Sequence, residues 1–218
     1  MGYNIAIDGP AGAGKSTIAK LIAKELGFVY IDTGAMYRAI SLFCIKKKID
    51  FEEEKKIEVM LDDIKIDLKY DQNGLIVYLC GEDVSTAIRQ EAVGMGASVV
   101  SRYRCVREKL TYMQREIAAK NDVVMDGRDI GTTVLPDANL KIYLTASADA
   151  RAKRRYDELV MKGQDANLDK IKSDIMERDY ADMHREISPL VQADDAILID
   201  SSDMSIDEVV QKVRELVR

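Results

Sequence analysis

Short apolar runs alternate with longer amphipathic stretches along most of the chain, a pattern that predicts alternating strands and helices. Helical periodicity follows the first apolar run in "KSTIAKLIAKEL" and the second in "GAMYRAISLFCIKKK", whose closing lysines suit the negative end of a helix dipole. This alternation is typical of an α/β fold with a parallel sheet flanked by helices, which is the predicted fold class. The predicted strands of that sheet are residues 3–8, 28–32, 122–125, 140–144 and 196–200.

A different pattern interrupts the alternation in the middle of the chain. The stretch "IDLKYDQNGLIVYLCG" contains two strand-like runs joined by "DQNG", a hairpin signal, and helical patterns lie on both sides of it. We therefore interpret residues 1–218 as a single domain that carries an inserted small lobe at approximately 50–105. This lobe is predicted to contain the hairpin and helices and to fold over one edge of a binding cleft.

The composition narrows the range of functions. The chain has 32 Lys and Arg against 38 Asp and Glu, and this formal net charge of −6 disfavours broad binding to nucleic acid or to membrane surfaces. No run of about 18 apolar residues occurs, so no membrane-spanning helix is expected. The three cysteines lie far apart without a CxxC pair, which favours free thiols in the cytoplasm over disulfides or a zinc site. Because no long apolar stripe lacks a core explanation, a monomer is expected.

A glycine-rich segment, "GPAGAGKST", lies between the first predicted strand and the first predicted helix. It matches the phosphate-binding pattern G-x-x-x-x-G-K-[ST] at every fixed position and in the expected context. Its backbone N–H groups and the start of the helix can hold phosphate oxygens, the lysine can reach the β- and γ-phosphates, and the serine can ligate Mg²⁺. A nucleoside triphosphate site is therefore predicted at Gly9, Pro10, Ala11, Gly12, Ala13, Gly14, Lys15, Ser16 and Thr17.

Several classes of protein share this loop, and other features separate them. Regulatory GTPases read guanine with an N-K-x-D element, which does not occur in this sequence. Motor and transporter ATPases are usually larger. A small phosphoryl-transfer enzyme remains, and such an enzyme needs a second site for its acceptor.

Arginines occur where an acceptor site would form, at the ends of the predicted strands. Arg38 closes "DTGAMYR", and Arg128 lies in "VVMDGRDIGT". In "RDYADMHR" the i, i+4, i+7 spacing predicts that Arg178, Asp182 and Arg185 share one helical face, although an exposed salt bridge would use the same spacing. Guanidinium groups concentrated in an acidic protein suit phosphate, because their planar donors match its oxygens. A second substrate that carries phosphate is therefore predicted.

The segments "GPAGAGKST", "DTGAMYR", "DGRDIGTTVLPDA", "RAKRR" and "RDYADMHR", in this order and spacing, resemble the bacterial cytidylate (CMP) kinases, nucleoside monophosphate kinases of the P-loop class. The resemblance runs nearly end to end and includes "GEDVSTAIR" and "VREKL" in the middle of the chain. It implies that MgATP phosphorylates CMP and dCMP, without nucleic acid or membrane partners. Ser16 would then contact the Mg²⁺ ion.

The resemblance also implies a role for individual side chains. The positions matching Arg38, Arg128 and Arg185 hold the acceptor phosphate. Those matching Arg178 and Asp182 reach the sugar. Cytosine contacts correspond to Ser98, Arg107 and Asp129, and the lid arginines, within approximately 148–165, to Arg151, Arg154 and Arg155.

Other positions leave alternatives open. Thr33 can donate through its hydroxyl to the acceptor. Asp126 and Asp32 fit an outer partner of magnesium-bound water, a partner of a neighbouring hydroxyl, or a structural cap. Ala181 and Met183 stand where family members can carry charge, which bears on the preference between ribose and deoxyribose.

Two other functional classes are compatible with part of the pattern. The first is a P-loop kinase for a different acceptor, such as UMP, dephospho-coenzyme A or shikimate. The second is a nucleotide-binding module without turnover, which would leave the arginine cluster without a purpose.

Overall fold

The computed structural model describes residues 2–71 and 74–217. The chain divides into two compact units, one formed by Met1–Ile31 with Ala118–Arg218 and the other by Asp32–Ile117. The strands are β1 Asn4–Asp8, β2 Val29–Asp32, β3 Ile66–Asp71, β4 Gly74–Leu79, β5 Glu82–Asp83, β6 Val123–Gly127, β7 Leu140–Thr145 and β8 Ile197–Asp200. The α-helices are α1 Lys15–Leu26, α2 Thr33–Lys47, α3 Glu54–Met60, α4 Glu91–Val100, α5 Arg104–Ala118, α6 Ala148–Met161, α7 Leu168–His184 and α8 Ile206–Leu216.

The first unit is built on a five-stranded sheet in the order β2-β6-β1-β7-β8, as far as the described residues show. β1 pairs in parallel with β6 and β7, and β7 pairs in parallel with β8. The central strand β1 is fully covered, since Ile5, Ala6 and Ile7 have 0% of their surface exposed. The predicted α/β fold with a parallel sheet is therefore confirmed, and the five predicted strands occur at nearly the predicted positions.

The register of the central strands brings two carboxylates to the same edge of the sheet. Asp8 at the end of β1 pairs with Gly127 of β6, and Ile7 pairs with Asp126. Because parallel strands end at a common edge, the loops that follow β1 and β6 begin side by side. The glycine-rich loop and α1 follow β1, and Arg128 and Asp129 follow β6.

The second unit contains a three-stranded sheet, in the order β3-β4-β5, within the described ranges. β3 and β4 pair antiparallel, with Ile66 opposite Leu79, which confirms the predicted hairpin. Residues 72 and 73 of its predicted turn lie outside the described residues. The role of residues 50–105 as an acceptor-binding lobe, and its boundaries, stay a prediction.

Within the second unit, α2 packs against α4 at Gly96. A Cβ atom on Gly96 would lie 2.2 Å from the Phe51 ring and 2.4 Å from the Ser41 hydroxyl. Both distances are far below van der Waals contact, and the Ser41 side chain is itself completely buried. A larger residue at this position must therefore push the two helices apart.

No helix among residues 2–71 and 74–217 combines the length and apolar character needed to cross a bilayer.

We predict that Gly96→Ala lowers the free energy of unfolding by about 1–3 kcal/mol, the usual cost of overpacking. The direction of this change separates close packing from helix propensity, because glycine to alanine in an ordinary helix interior raises the free energy of unfolding by roughly 0.5–1 kcal/mol. Urea denaturation of both proteins measures the difference. A variant as stable as the wild type would contradict the close packing of α2 on α4.

Candidate active site

The glycine-rich loop takes its shape from close approaches that only glycine permits. Gly9 has φ 147°, and a Cβ there would lie 2.0 Å from the Leu144 carbonyl oxygen. Gly14 is the N-cap of α1 in the left-handed conformation, φ 90°, and α1 receives no side-chain cap from it. No side chain at this cap therefore competes for the first N–H groups of α1, the groups that bind anions at a helix N-terminus.

Lys15 is buried at the start of α1, with 5% of its surface exposed. Its Nζ donates to the Pro10 carbonyl at 2.7 Å. The pKa of Lys15 is lowered from its ordinary 10.5 to about 7, first by burial and then by the Arg128 guanidinium, while Asp126 and Asp8 act in the opposite direction. Near pH 7 the neutral and protonated forms of this lysine are therefore similar in free energy, and an anionic ligand would favour the protonated form.

Asp126 accepts two hydroxyl hydrogen bonds beside this lysine. The Ser16 Oγ donates to one carboxylate oxygen at 2.8 Å, and the Tyr30 hydroxyl donates to the other at 2.7 Å. Of the three roles that the sequence left open for Asp126, the structure shows hydrogen bonding to neighbouring hydroxyls. Asp32 serves as the N-cap of α2, where it accepts from the Ala35 N–H at 2.9 Å.

Oxygen donors at this position suit Mg²⁺. Mg²⁺ keeps several waters and binds through one or two protein oxygens together with substrate phosphates, so a dedicated cage is not needed. Across the described ranges, no group of three or more His, Cys, Asp or Glu side chains could hold a metal ion alone. Ser16, backed by Asp126, therefore fits an ion that arrives with a polyphosphate.

Asp8 connects the two loops. Its carboxylate accepts the Ile130 N–H at 2.8 Å and the Gly131 N–H at 2.7 Å, both in the segment that follows Asp129. The pKa of Asp8 is raised from 3.8 to about 6, mainly by burial, with the two N–H bonds opposing the shift and the Asp129 charge adding to it. The segment after β6 is thus held by a side chain of β1.

Two ion pairs join the side chains predicted to bind the acceptor. Arg128 Nε lies 2.7 Å from Asp182, and an Arg185 nitrogen lies 3.3 Å from Asp129. Burial alone would raise the pKa of Asp182, but the neighbouring guanidiniums, Arg128 above all, hold it below its ordinary value. Each pair joins an arginine assigned to phosphate with a carboxylate assigned to sugar or base.

The shared helical face predicted for "RDYADMHR" is wrong at its last residue. α7 ends at His184, and Arg185 is its C-cap with extended dihedrals, φ −65° and ψ 144°. The Asp182 carbonyl accepts from the Leu190 N–H at 2.8 Å instead of continuing the helix. Arg185 therefore reaches Asp129 from the chain beyond the helix, while Arg178 is an exposed residue of α7.

The three arginines of "RAKRR" lie on α6 in different surroundings. Arg155 is exposed and pairs with Glu158 at 2.7 Å. Arg154 donates to the Ser201 carbonyl. Arg151 is buried and bonds to the glycine-rich loop, where its guanidinium donates to the Ala11 carbonyl at 2.9 Å. Their assignment as lid residues stays a prediction.

The remaining predicted contacts belong to the second unit. Thr33 begins α2 and is buried, and Arg38 on the same helix donates to the Ile88 carbonyl at 3.1 Å. Arg107 is buried on α5, where it donates to the Ser101 carbonyl at 3.1 Å. Ser98 is exposed on α4. Their roles in binding stay predictions.

The sequence interpretation assigned no role to Asp8, Tyr30 or Asp179. A signal for Asp8 was present, because "IAIDG" and "VVMDG" both close a buried strand with Asp-Gly. The contacts of Asp179 with Ala11, 168 residues away, had no comparable signal.

We predict that binding of a triphosphate at pH 8 is accompanied by the uptake of most of one proton, which Lys15 accepts. The Lys15 pKa of about 7 leaves the amine mostly neutral at that pH, and phosphate charge stabilises the protonated form. Calorimetry of ATP binding in buffers of different ionisation enthalpy measures the uptake. Lys24→Met, an exposed change on α1, should keep it. Binding without proton uptake at pH 8 would contradict the lowered pKa.

The chain is similar to known proteins along nearly its whole length. The model of the family described as cytidylate kinase matches residues 5–218. The cytidylate kinase of Caldicellulosiruptor bescii is 55% identical over 213 residues, which cover 98% of this chain and 94% of that protein. That of Lactobacillus johnsonii is 52% identical over 214 residues, which cover 98% of this chain and 93% of that protein.

A solved structure supports the fold independently of sequence. An uncharacterized protein from Eubacterium ventriosum superposes with a TM-score of 0.53 at 12% identity, covering 98% of this chain and 97% of that one. Together with the match over nearly the whole chain, the loop, the buried lysine and the paired arginines lead to one conclusion. The chain belongs to the cytidylate kinase family.

Proposed function

We propose that the protein transfers the γ-phosphoryl group of ATP to CMP, and also to dCMP, forming ADP and CDP or dCDP. One observation carries the proposal beyond family membership. The glycine-rich loop follows β1, and the segment after the neighbouring strand β6, which carries Arg128 and Asp129, donates to Asp8 of β1 at 2.8 and 2.7 Å. A phosphoryl-transfer enzyme requires its donor and acceptor sites to lie this close, and the resemblance assigns Arg128 and Asp129 to the acceptor.

The donor half of the reaction belongs to the glycine-rich loop. The N–H groups at the start of α1 bind the β- and γ-phosphates, and Lys15 moves from the Pro10 carbonyl to the phosphate oxygens. Ser16, whose hydroxyl donates to Asp126 at 2.8 Å, would hold the Mg²⁺ that accompanies ATP. When bound, that ion neutralises phosphate charge.

The acceptor phosphate is assigned to Arg128 and Arg185, with Arg38 of the second unit. Each of the first two already bonds a carboxylate, at 2.7 Å for Arg128 and 3.3 Å for Arg185. A guanidinium has five N–H donors, so a carboxylate partner leaves others for a phosphate. The ion pairs therefore hold the arginines in place before the acceptor arrives, which reduces the ordering cost of binding.

Asp129 reads the base in this proposal, together with Ser98 and Arg107 of the second unit. A carboxylate accepts from the cytosine N4 amine, and an arginine donates to the acceptor edge of the ring. Uracil carries a carbonyl in place of that amine, so it would face the carboxylate with lone pairs on both sides. A mispaired buried polar group costs about 1–3 kcal/mol, or roughly a tenfold to hundredfold preference for CMP.

The chemical step needs no general base, because the attacking oxygen of the CMP phosphate is already anionic. That oxygen forms a bond to the γ-phosphorus, and the bond from phosphorus to the oxygen bridging the β-phosphate breaks. ADP leaves with that electron pair. Lys15 and the arginines of α6, which is proposed to lie in a lid at 148–165, stabilise the charge and exclude water. Residues 50–105 are proposed to cover the acceptor, and the enzyme to work as a cytoplasmic monomer.

The direct test is a coupled assay of ADP release with MgATP against CMP, dCMP, UMP, AMP, GMP and shikimate. CMP and dCMP should be the best acceptors, with UMP roughly tenfold to a hundredfold worse. Asp129→Ala should narrow the gap between CMP and UMP, because it removes the reader of the amine. Asp137→Ala, an exposed change in the loop that follows, should leave the gap unchanged.

Two outcomes would overturn the proposal. Faster turnover with UMP or shikimate would remove CMP as the acceptor while leaving the triphosphate site intact. An unchanged gap between CMP and UMP in Asp129→Ala would remove Asp129 as the reader of the base.

A further inference from the structure

The backbone of Ala11, in the middle of the glycine-rich loop, is held at both of its polar atoms by one buried ion pair. Arg151 of α6 donates to the Ala11 carbonyl at 2.9 Å. Asp179 of α7 accepts from the Ala11 N–H at 3.3 Å. The two side chains lie 2.7 Å apart, and only 6% of Arg151 and 9% of Asp179 is exposed.

Arg151 is fixed from the sheet side as well. Its Nε donates to the Ala146 carbonyl, just after β7, at 2.8 Å. Its methylene groups lie against the loop, since a Cβ on Gly12 would be 3.6 Å from the Arg151 Cβ. A side chain with three fixed contacts and little exposure does not have the freedom of a surface arginine.

Burial of the Arg151–Asp179 ion pair is not expected by itself to raise the free energy of unfolding, so stability does not explain the pair. A buried ion pair of similar size is often no more stabilising than apolar side chains, because both charges lose their hydration. This pair nevertheless matches its donors and acceptors to one residue of the loop. The hydrogen bonds of the pair therefore bear on the backbone conformation of the loop at Ala11.

We propose that Arg151 and Asp179 are positioning residues that set the conformation of the glycine-rich loop for the triphosphate. This inference rests on the proposed function, since it deepens the role of the same donor site. It assigns Arg151 to the loop backbone through Ala11, whereas the family resemblance assigns it to the donor phosphates within a mobile lid. It also ties the loop to α7, the helix that carries Arg178 and Asp182.

The test compares Asp179→Asn and Arg151→Lys with the wild type and with Asp174→Asn, an exposed change of the same chemistry on α7. The dissociation constant for MgATP, measured by calorimetry without any acceptor, should rise roughly tenfold in the first two and less than twofold in the control. In the coupled assay the KM for ATP should rise with it, while the KM for CMP stays within about twofold. Losses of this size are expected when a binding group is misplaced by a fraction of an ångström.

A double variant separates positioning from simple support of the fold. If the pair acts as one unit, Arg151→Ala with Asp179→Ala should weaken ATP binding about as much as either change alone. Unchanged ATP affinity combined with a lower melting temperature would overturn the proposal and leave a structural role. Additive losses in the double variant would also overturn it. Because ATP binding is measured without acceptor, failure to phosphorylate CMP would count against the proposed function and not against this pair.

Discussion

The Asp8 carboxylate holds together the parts of the site that carry chemistry. It lies at the end of the central strand and accepts the N–H groups of Ile130 and Gly131 at 2.8 and 2.7 Å. The loop after β1 is the proposed donor site, and the loop after β6 carries Arg128 and Asp129. These two bonds link the second loop directly to β1.

Keeping Asp8 ionised in a buried place has a cost, as its raised pKa of about 6 shows. The cost follows from desolvation, and the same burial lowers the Lys15 pKa. With pKa values of about 6 for Asp8 and about 7 for Lys15, both groups titrate close to the neutral range. Active sites commonly hold such groups, because a charge with few partners in the protein interacts strongly with an incoming ligand.

The sequence was sufficient for the sheet because buried parallel strands are continuous apolar runs, which stand out against amphipathic helices. It was sufficient for the glycine-rich loop because the fixed positions encode backbone geometry directly, as at Gly9. It was insufficient where a contact joins distant segments. The bond from Asp179 to Ala11 spans 168 residues, and no local pattern records it. Helical spacing likewise could not show that α7 ends before Arg185, where the Asp182 carbonyl accepts from the more distant Leu190 N–H.

The central claim is that Asp8 organises the site at the expense of stability, and Asp8→Asn tests it most directly. The amide keeps one acceptor but turns an N–H₂ group toward the loop, and it removes a buried charge. Because burial raises the folded-state pKa of Asp8 from 3.8 to about 6, ionisation of Asp8 lowers the free energy of unfolding as pH rises from 3.8 to about 6. The whole loss is present at pH 8, so there the variant should melt at the same or a higher temperature. Its kcat/KM for CMP should nevertheless fall by roughly 100-fold, through misplacement of the loop. A variant with wild-type kcat/KM would contradict the account.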